Sequence, residues 1–163
     1  VNAVIVAVAQ YLLFVLALVA GLTWLALDRA GKVRLAAEAV VGLALLGLGI
    51  WLAGSLHADP RPFVQNPSLH PLFPHPRDNG FPSDHAAAAG LLTALVLRYR
   101  RGVGVLVGVG AVLVAAARVA AHVHHLQDVV AGLLIGLAAG GLAILLTTVV
   151  VARLTGSVGT PAP

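Results

Sequence analysis

The chain contains neither cysteine nor methionine. Without cysteine it forms no disulfide and no thiolate metal site, and its redox compartment leaves no trace in the sequence. Methionine is missing even at position 1, so the native start is expected to have been removed or renumbered, and no charged n-region of a signal peptide precedes Val1. Charge is scarce as well: 10% of the 163 residues are charged, against roughly a quarter in soluble domains. Aromatic residues make up 5%, whereas 60% of the chain is hydrophobic and the mean hydropathy is +0.98. An ordinary soluble globule is excluded. Ten basic residues against six acidic ones give a pI near 10.7. The basic residues are dispersed and do not interleave with aromatics, which speaks against nucleic acid as a partner.

What is present is a succession of apolar runs. A spanning helix needs about 20 apolar residues, and charge punctuation divides the chain into five such helices: about Ala3–Leu27, Leu35–His57, Ser83–Arg98, Val103–Ala121 and Asp128–Arg153. The third is short for a span. The fold expected is all-α, a polytopic integral membrane helical bundle with five transmembrane helices and a long outer loop bearing the active site. A single domain is expected over residues 1–155, with a disordered tail at 156–163. Arg29, Lys32, Arg34, Arg98, Arg100, Arg101 and Arg153 fall on one side, cytoplasmic by the positive-inside rule. All seven histidines and four of the six acids fall on the other. The outer segment Ala58–Pro82 holds seven of the nine prolines, too many for another span; at about 25 residues it has the length of a functional loop. Glycines at four-residue spacing (Gly104/Gly108, Gly132/Gly136/Gly140) suit close helix packing within the bundle.

Three polar clusters lie at outer helix ends. Asp59-Pro60-Arg61-Pro62-Phe63 follows the second helix; Phe81-Pro82-Ser83-Asp84-His85 opens the third; Arg118, His124 and Asp128 span the turn between the fourth and fifth. Ser83 is a candidate N-cap, and a helix N-terminus offers free N–H groups to an anion. Arg118 sits at a membrane boundary, where an arginine needs a partner or a polar cavity. His124 and Asp128 suit a histidine–carboxylate pair, the carboxylate fixing the tautomer. Two arginines for phosphate oxygens, two histidines and one carboxylate make a phosphoryl-transfer site that needs no metal.

Arg61-Pro62, Pro82-Ser83-x-His85 and Arg118-x5-His124-x3-Asp128 resemble the three signature motifs of the type 2 phosphatidic acid phosphatase superfamily, eight positions in order. Pro60–Val64, His75-Pro76-x-Asp78 and Phe81–His85 are further similar to its bacitracin-resistance branch of undecaprenyl-diphosphate phosphatases. The resemblance covers Pro60–Gly132. It implies a lipid diphosphatase without cofactor that hydrolyses undecaprenyl diphosphate at the outer face of the cell membrane and recycles the carrier lipid. Carried over by motif position, His124 is the nucleophile that forms a phosphohistidine, Asp128 orients it and His85 protonates the leaving group. Arg61, Pro62, Ser83, Asp84 and Arg118 form the phosphate-binding set. The chain departs from the family pattern at Gly54, where a lysine is usual, and at Ala117, where serine is common. The family usually has six helices or an additional N-terminal segment.

Rival readings are a broader lipid phosphatase acting on phosphatidate or phosphatidylglycerol phosphate, a non-catalytic headgroup binder or transporter, and a zinc site built from His85, His122, His124 and His125. The roles of His75, Arg77, Asp78 and His125 stay open. Glu38 reads as an interfacial partner of Arg34, and Trp24, Trp51 and Tyr99 as interfacial anchors.

Overall fold

The computed structural model describes residues 1–156. The expected tail at 156–163 lies outside the described residues, save Gly156, which closes the last helix. The chain is all-helical: α1 (Asn2–Leu25), α2 (Arg29–Leu56), the single turn α3 (Pro62–Gln65), α4 (Asp84–Tyr99), α5 (Arg101–Ala120) and α6 (Leu126–Gly156). Extended pairing among the described residues is limited to one isolated bridge, Pro60 with Asn79.

α1, α2, α5 and α6 are long and apolar enough to cross a membrane. Their outward faces carry Phe14, Leu18, Leu43, Trp51, Leu106 and Leu134, all exposed, as lipid contact requires. α4, the expected short helix, has 16 residues, about 24 Å of rise. It is the central strut: α1, α2, α5 and α6 all pack on it. Its small side chains make this possible, since Ala86, Ala87, Ala89 and Gly90 are buried against neighbouring backbones. Gly90 faces the Leu133 carbonyl, and a Cβ at Gly136 would collide with the Ala87 carbonyl. The spaced glycines of α6 therefore pack α6 onto α4 within one chain.

Two boundaries differ from the sequence reading. α2 begins at Arg29 instead of near Leu35, because Asp28 Oδ1 accepts from Gly31 N at 2.9 Å and caps a helix that continues through Lys32 and Arg34 beyond the apolar run. α3 is an additional turn inside the long loop, with Pro62 at its N1 position, where a missing N–H costs nothing.

A polar tie closes the bundle at the arginine-rich end. Glu38 is wholly buried; its carboxylate accepts from Tyr99 Oη at 2.8 Å and lies 3.6 Å from Arg34 Nε and 4.0 Å from Arg98 Nε. Thr147 Oγ1 donates to it from α6 at 3.4 Å. Glu38 thus links α2, α4 and α6, and Tyr99 serves this tie as well as any interfacial role.

Candidate active site

The opposite end of the bundle brings the three sequence clusters together around a cavity of about 500 Å³. Arg61 reaches it from the start of α3, His85 from the first turn of α4, Arg118 from the last turn of α5, and His124 from the α5–α6 turn. That turn is tight: His122 takes a left-handed φ of 60°, which directs His124 back over the bundle. The His122 ring nitrogen Nδ1 lies 3.1 Å from the His70 carbonyl, so the long loop is fastened to this turn.

Arg61, Arg118 and His124 are all almost fully buried. The two guanidinium groups converge on one atom: Arg61 Nη1 lies 3.2 Å and Arg118 Nη2 3.3 Å from His124 Nε2. A guanidinium only donates, so this network assigns the lone pair of His124 to Nε2 and its proton to Nδ1. Nδ1 then donates to the Gly80 carbonyl at 3.0 Å, with Asp128 Oδ2 at 3.4 Å. The carboxylate is therefore the longer of two contacts, and a backbone carbonyl shares in holding the tautomer. Asp128, fully buried, accepts from His125 N at 2.7 Å through Oδ2, while its Oδ1 has no hydrogen-bond partner.

Burial, joined by the charges of Arg118 and Arg61, lowers the His124 pKa from its usual 6.5 and outweighs the opposing hydrogen bond to Asp128. The ring is held neutral, with its lone pair facing two cations.

Each arginine is anchored on its far side. Arg61 Nε donates to Asp78 Oδ1 at 2.8 Å and Nη1 to the Val123 carbonyl at 2.8 Å. Burial opposes ionisation of Asp78, yet the bond and charge of Arg61 hold its carboxyl below the usual range. Arg118 Nη2 donates to His75 Nε2 at 2.8 Å. Burial and then the charges of Arg61 and Arg118 push His75 down to about 4, so it acts as a neutral acceptor. A second tier braces the loop: Asp59 accepts from Gln65 Nε2 at 2.9 Å and from Gln127 Nε2 at 2.6 Å.

Of the residues singled out in the sequence, Arg61, Asp84, His85, Arg118 and His124 line the cavity; Pro62, Ser83 and Asp128 stand behind it. Ser83 occupies the N-cap position of α4, but its hydroxyl makes no cap bond and is buried without a partner; its N–H donates to the Asp128 carbonyl at 3.0 Å. Gly54, at the place of the usual lysine, lines the cavity where a Cβ would lie 3.2 Å from the Phe81 carbonyl, leaving little room for a side chain. His75 and Asp78, left open in the sequence, prove to be the anchors of the two arginines. The His75-Pro76-x-Asp78 spacing was the signal available for them. The Gly80 carbonyl had none, because a backbone acceptor carries no residue type.

Among the described residues, no group of three or more His, Cys, Asp or Glu side chains converges as a metal site. The four histidines considered for zinc are dispersed: His122 turns to His70, and His125 Nε2 lies 3.2 Å from the Pro60 carbonyl.

Comparison with known proteins agrees with this architecture. A sequence model of the PAP2 superfamily matches residues 11–152. The chain is 34% identical over 136 residues to "Bacitracin transport permease protein BcrC" of Bacillus licheniformis, covering 83% of this chain and 66% of that protein. It is 26% identical over 139 residues to "Undecaprenyl-diphosphatase BcrC" of Bacillus subtilis (strain 168), covering 85% and 71%. The chain thus spans about two thirds of the length of these curated relatives. In fold it is similar to the crystal structure of a transmembrane PAP2 type phosphatidylglycerolphosphate phosphatase from Bacillus subtilis, with a TM-score of 0.55 and 21% identity over 93% of this chain and 77% of that one.

Proposed function

The chain belongs to the PAP2 superfamily, and from that premise we propose that it is a metal-independent membrane lipid diphosphatase that hydrolyses undecaprenyl diphosphate to the monophosphate and phosphate. The observation that carries this reading is the neutral His124 Nε2 lone pair set between Arg61 and Arg118, with His85 on the same cavity. The name of the Bacillus subtilis relative, "Undecaprenyl-diphosphatase BcrC", supports the choice of substrate. By the positive-inside rule, the basic residues at the Glu38 end support an extracytoplasmic position for the site.

The terminal phosphoryl group of the substrate takes the place between the guanidinium groups, which turn their donors from His124 to its non-bridging oxygens. Those oxygens accept stronger, charge-assisted bonds than an imidazole nitrogen does. His124 Nε2 attacks phosphorus, forming an N–P bond as the P–O bond to the lipid monophosphate breaks. Positive charge develops on the ring, stabilised by the Gly80 carbonyl and Asp128 at Nδ1. His85 in its protonated form gives its proton to the departing oxygen. Bound phosphate dianion beside it favours that protonated form. His85, now neutral, takes a proton from water as the water oxygen attacks the phosphohistidine; the N–P bond breaks and inorganic phosphate leaves.

The test is phosphate release from undecaprenyl diphosphate by the detergent-purified chain with excess EDTA throughout. Release at an undiminished rate is expected, and its loss in His124→Ala. Release that needs an added divalent ion would overturn the metal-free mechanism, and turnover surviving His124→Ala would overturn the nucleophile. Release from phosphatidate or phosphatidylglycerol phosphate at comparable efficiency would replace the proposed substrate with a broader one.

A further inference from the structure

A second cavity, of about 400 Å³, adjoins the first and opens between α1 and the loop at residues 73–76. The two share His75, Pro76, His85 and Arg118. They differ in what else they contain. Arg61, His124 and the carboxylates Asp78 and Asp84 line the first alone. Gln10, Tyr11, Phe14 and Phe73 line the second alone, and it has no acidic side chain.

This division matches the demands of an in-line displacement. Nucleophile and leaving oxygen stand on opposite sides of the phosphorus, and the leaving oxygen faces the general acid. A space that contains His85 but not His124 is therefore on the leaving-group side. Arg118 spans the border: Nη2 is near His124, and Nη1 lies 3.5 Å from the Ala9 carbonyl of α1. Its guanidinium carbon also lies 5.6 Å from the centroid of the Phe73 ring. The second phosphate of a diphosphate would meet Arg118 and Gln10 there, away from the two carboxylates that would repel it in the first cavity.

Beyond Gln10 the lining becomes apolar and continues as a lipid-facing stripe. Tyr11, Phe14, Leu18, Leu22 and Leu25 are all well exposed on α1, at spacings of three and four residues that keep them on one face. Gln10 is the one amide of α1 after Asn2, and it sits at the polar end of that stripe.

We infer that the α1-side cavity receives the leaving half of the lipid diphosphate, with Gln10 donating to its phosphate and Tyr11 and Phe14 packing on the first isoprene units. The first cavity also borders α2, at Ile50, Trp51, Gly54 and Ser55. This inference rests on the diphosphatase reading.

The experiment is photocrosslinking of the wild-type chain in detergent with a short prenyl diphosphate that carries a benzophenone on its first isoprene units. Undecaprenyl phosphate serves as competitor, and the labelled peptides are mapped by mass spectrometry. Competed labels on Tyr11 and Phe14 are expected. Labels confined to residues 50–55, or labels that the competitor does not displace, would overturn the inference. A kinetic measurement stands beside it: Gln10→Leu is expected to raise KM for the prenyl diphosphate more than about tenfold, the loss of one hydrogen bond to a charged group, with kcat within twofold. An unchanged KM would remove Gln10 from the site. Failure of the parent reading looks different, since wild-type protein would then release no phosphate from any prenyl diphosphate, wherever the label lands.

Discussion

Replacing Asp128 by Asn separates two contributions that a histidine–carboxylate pair usually merges. Where the carboxylate alone selects the tautomer, an amide in its place turns the ring the wrong way and costs about 10⁴ in rate. Here the Nδ1 proton already has a closer acceptor, the Gly80 carbonyl at 3.0 Å, while Asp128 Oδ2 is at 3.4 Å. An asparagine would also keep its oxygen toward the His125 N–H, now bound at 2.7 Å, and place its NH₂ where Oδ1 has no partner. The tautomer therefore survives. What is lost is a negative charge 3.4 Å from a ring that, in the proposed mechanism, becomes cationic on phosphorylation. A full charge pair at that distance is worth about 5 kcal/mol at an effective dielectric of about 20. With roughly half the charge developed in the transition state, about 2.4 kcal/mol remains, or about 60-fold in kcat. The assay is single-turnover phosphate release by the variant beside wild type, after melting curves in detergent show that both are folded. A loss near 10⁴ would refute the shared hold of the Gly80 carbonyl, and a loss under threefold would refute the electrostatic role of Asp128.

The pH profile follows from the lowered pKa of His124. Attack needs Nε2 unprotonated, and a depressed value keeps it so to lower pH; the acidic limb of kcat/KM should therefore lie below 6.5, the usual histidine value, and a limb at or above it would count against the assignment. Asp78→Asn removes the charged acceptor of Arg61 Nε, but the Asp78 side chain is 60% exposed, so screening limits the effect to about 1 kcal/mol, seen as a KM raised about fivefold with little change in kcat. At the other end of the bundle, Glu38→Leu leaves Tyr99 Oη without its acceptor and two arginines without their ionic partner. The arginine side chains are 33% and 37% exposed and can turn to water, which reduces the usual cost of breaking a buried pair to about 2 kcal/mol. A lower melting temperature with unaltered activity per folded molecule is expected, and an unshifted melt would contradict the structural role of this tie.

Hydropathy located the long helices because in lipid the backbone must satisfy itself, so apolar length translates almost directly into helix. It failed at the start of α2, where helix continues past the apolar run: Arg29, Lys32 and Arg34 are good helix formers, and the Asp28 cap outweighs their charge. It also missed α3, a turn too short to show any periodicity. The arginine and histidine clusters were legible as chemistry because polar side chains stand out at the helix ends of a chain that is 60% hydrophobic. Their anchors were less so. Asp78 and His75 lie in a proline-rich loop with no repeat to fix their direction, and only the fold shows that one meets Arg61 and the other Arg118. The Ser83 hydroxyl misled in a different way. A serine before a helix reads as a cap, yet here the residue's N–H is taken by the Asp128 carbonyl and its hydroxyl turns into the core.

The placement of charge accounts for how two buried guanidinium groups are tolerated at one site. Two buried guanidinium groups near each other repel, and neither has a buried carboxylate as a direct partner: Asp78, on Arg61, is largely solvated, and His75, on Arg118, is neutral. A fully neutralised pair would leave little field for a substrate, whereas a wholly unpartnered pair would be costly to bury. The compromise is a set of neutral acceptors, the Val123 and Ala9 carbonyls and the lone pairs of His75 and His124. They satisfy most of the donors, Arg118 Nε excepted, without cancelling the charge. An entering phosphate then gains most of the electrostatic attraction of both arginines, and the groups that would hold it need no large rearrangement. In the proposed mechanism the nucleophile is also the acceptor that substrate displaces, so binding would free the Nε2 lone pair of His124 as phosphorus arrives beside it.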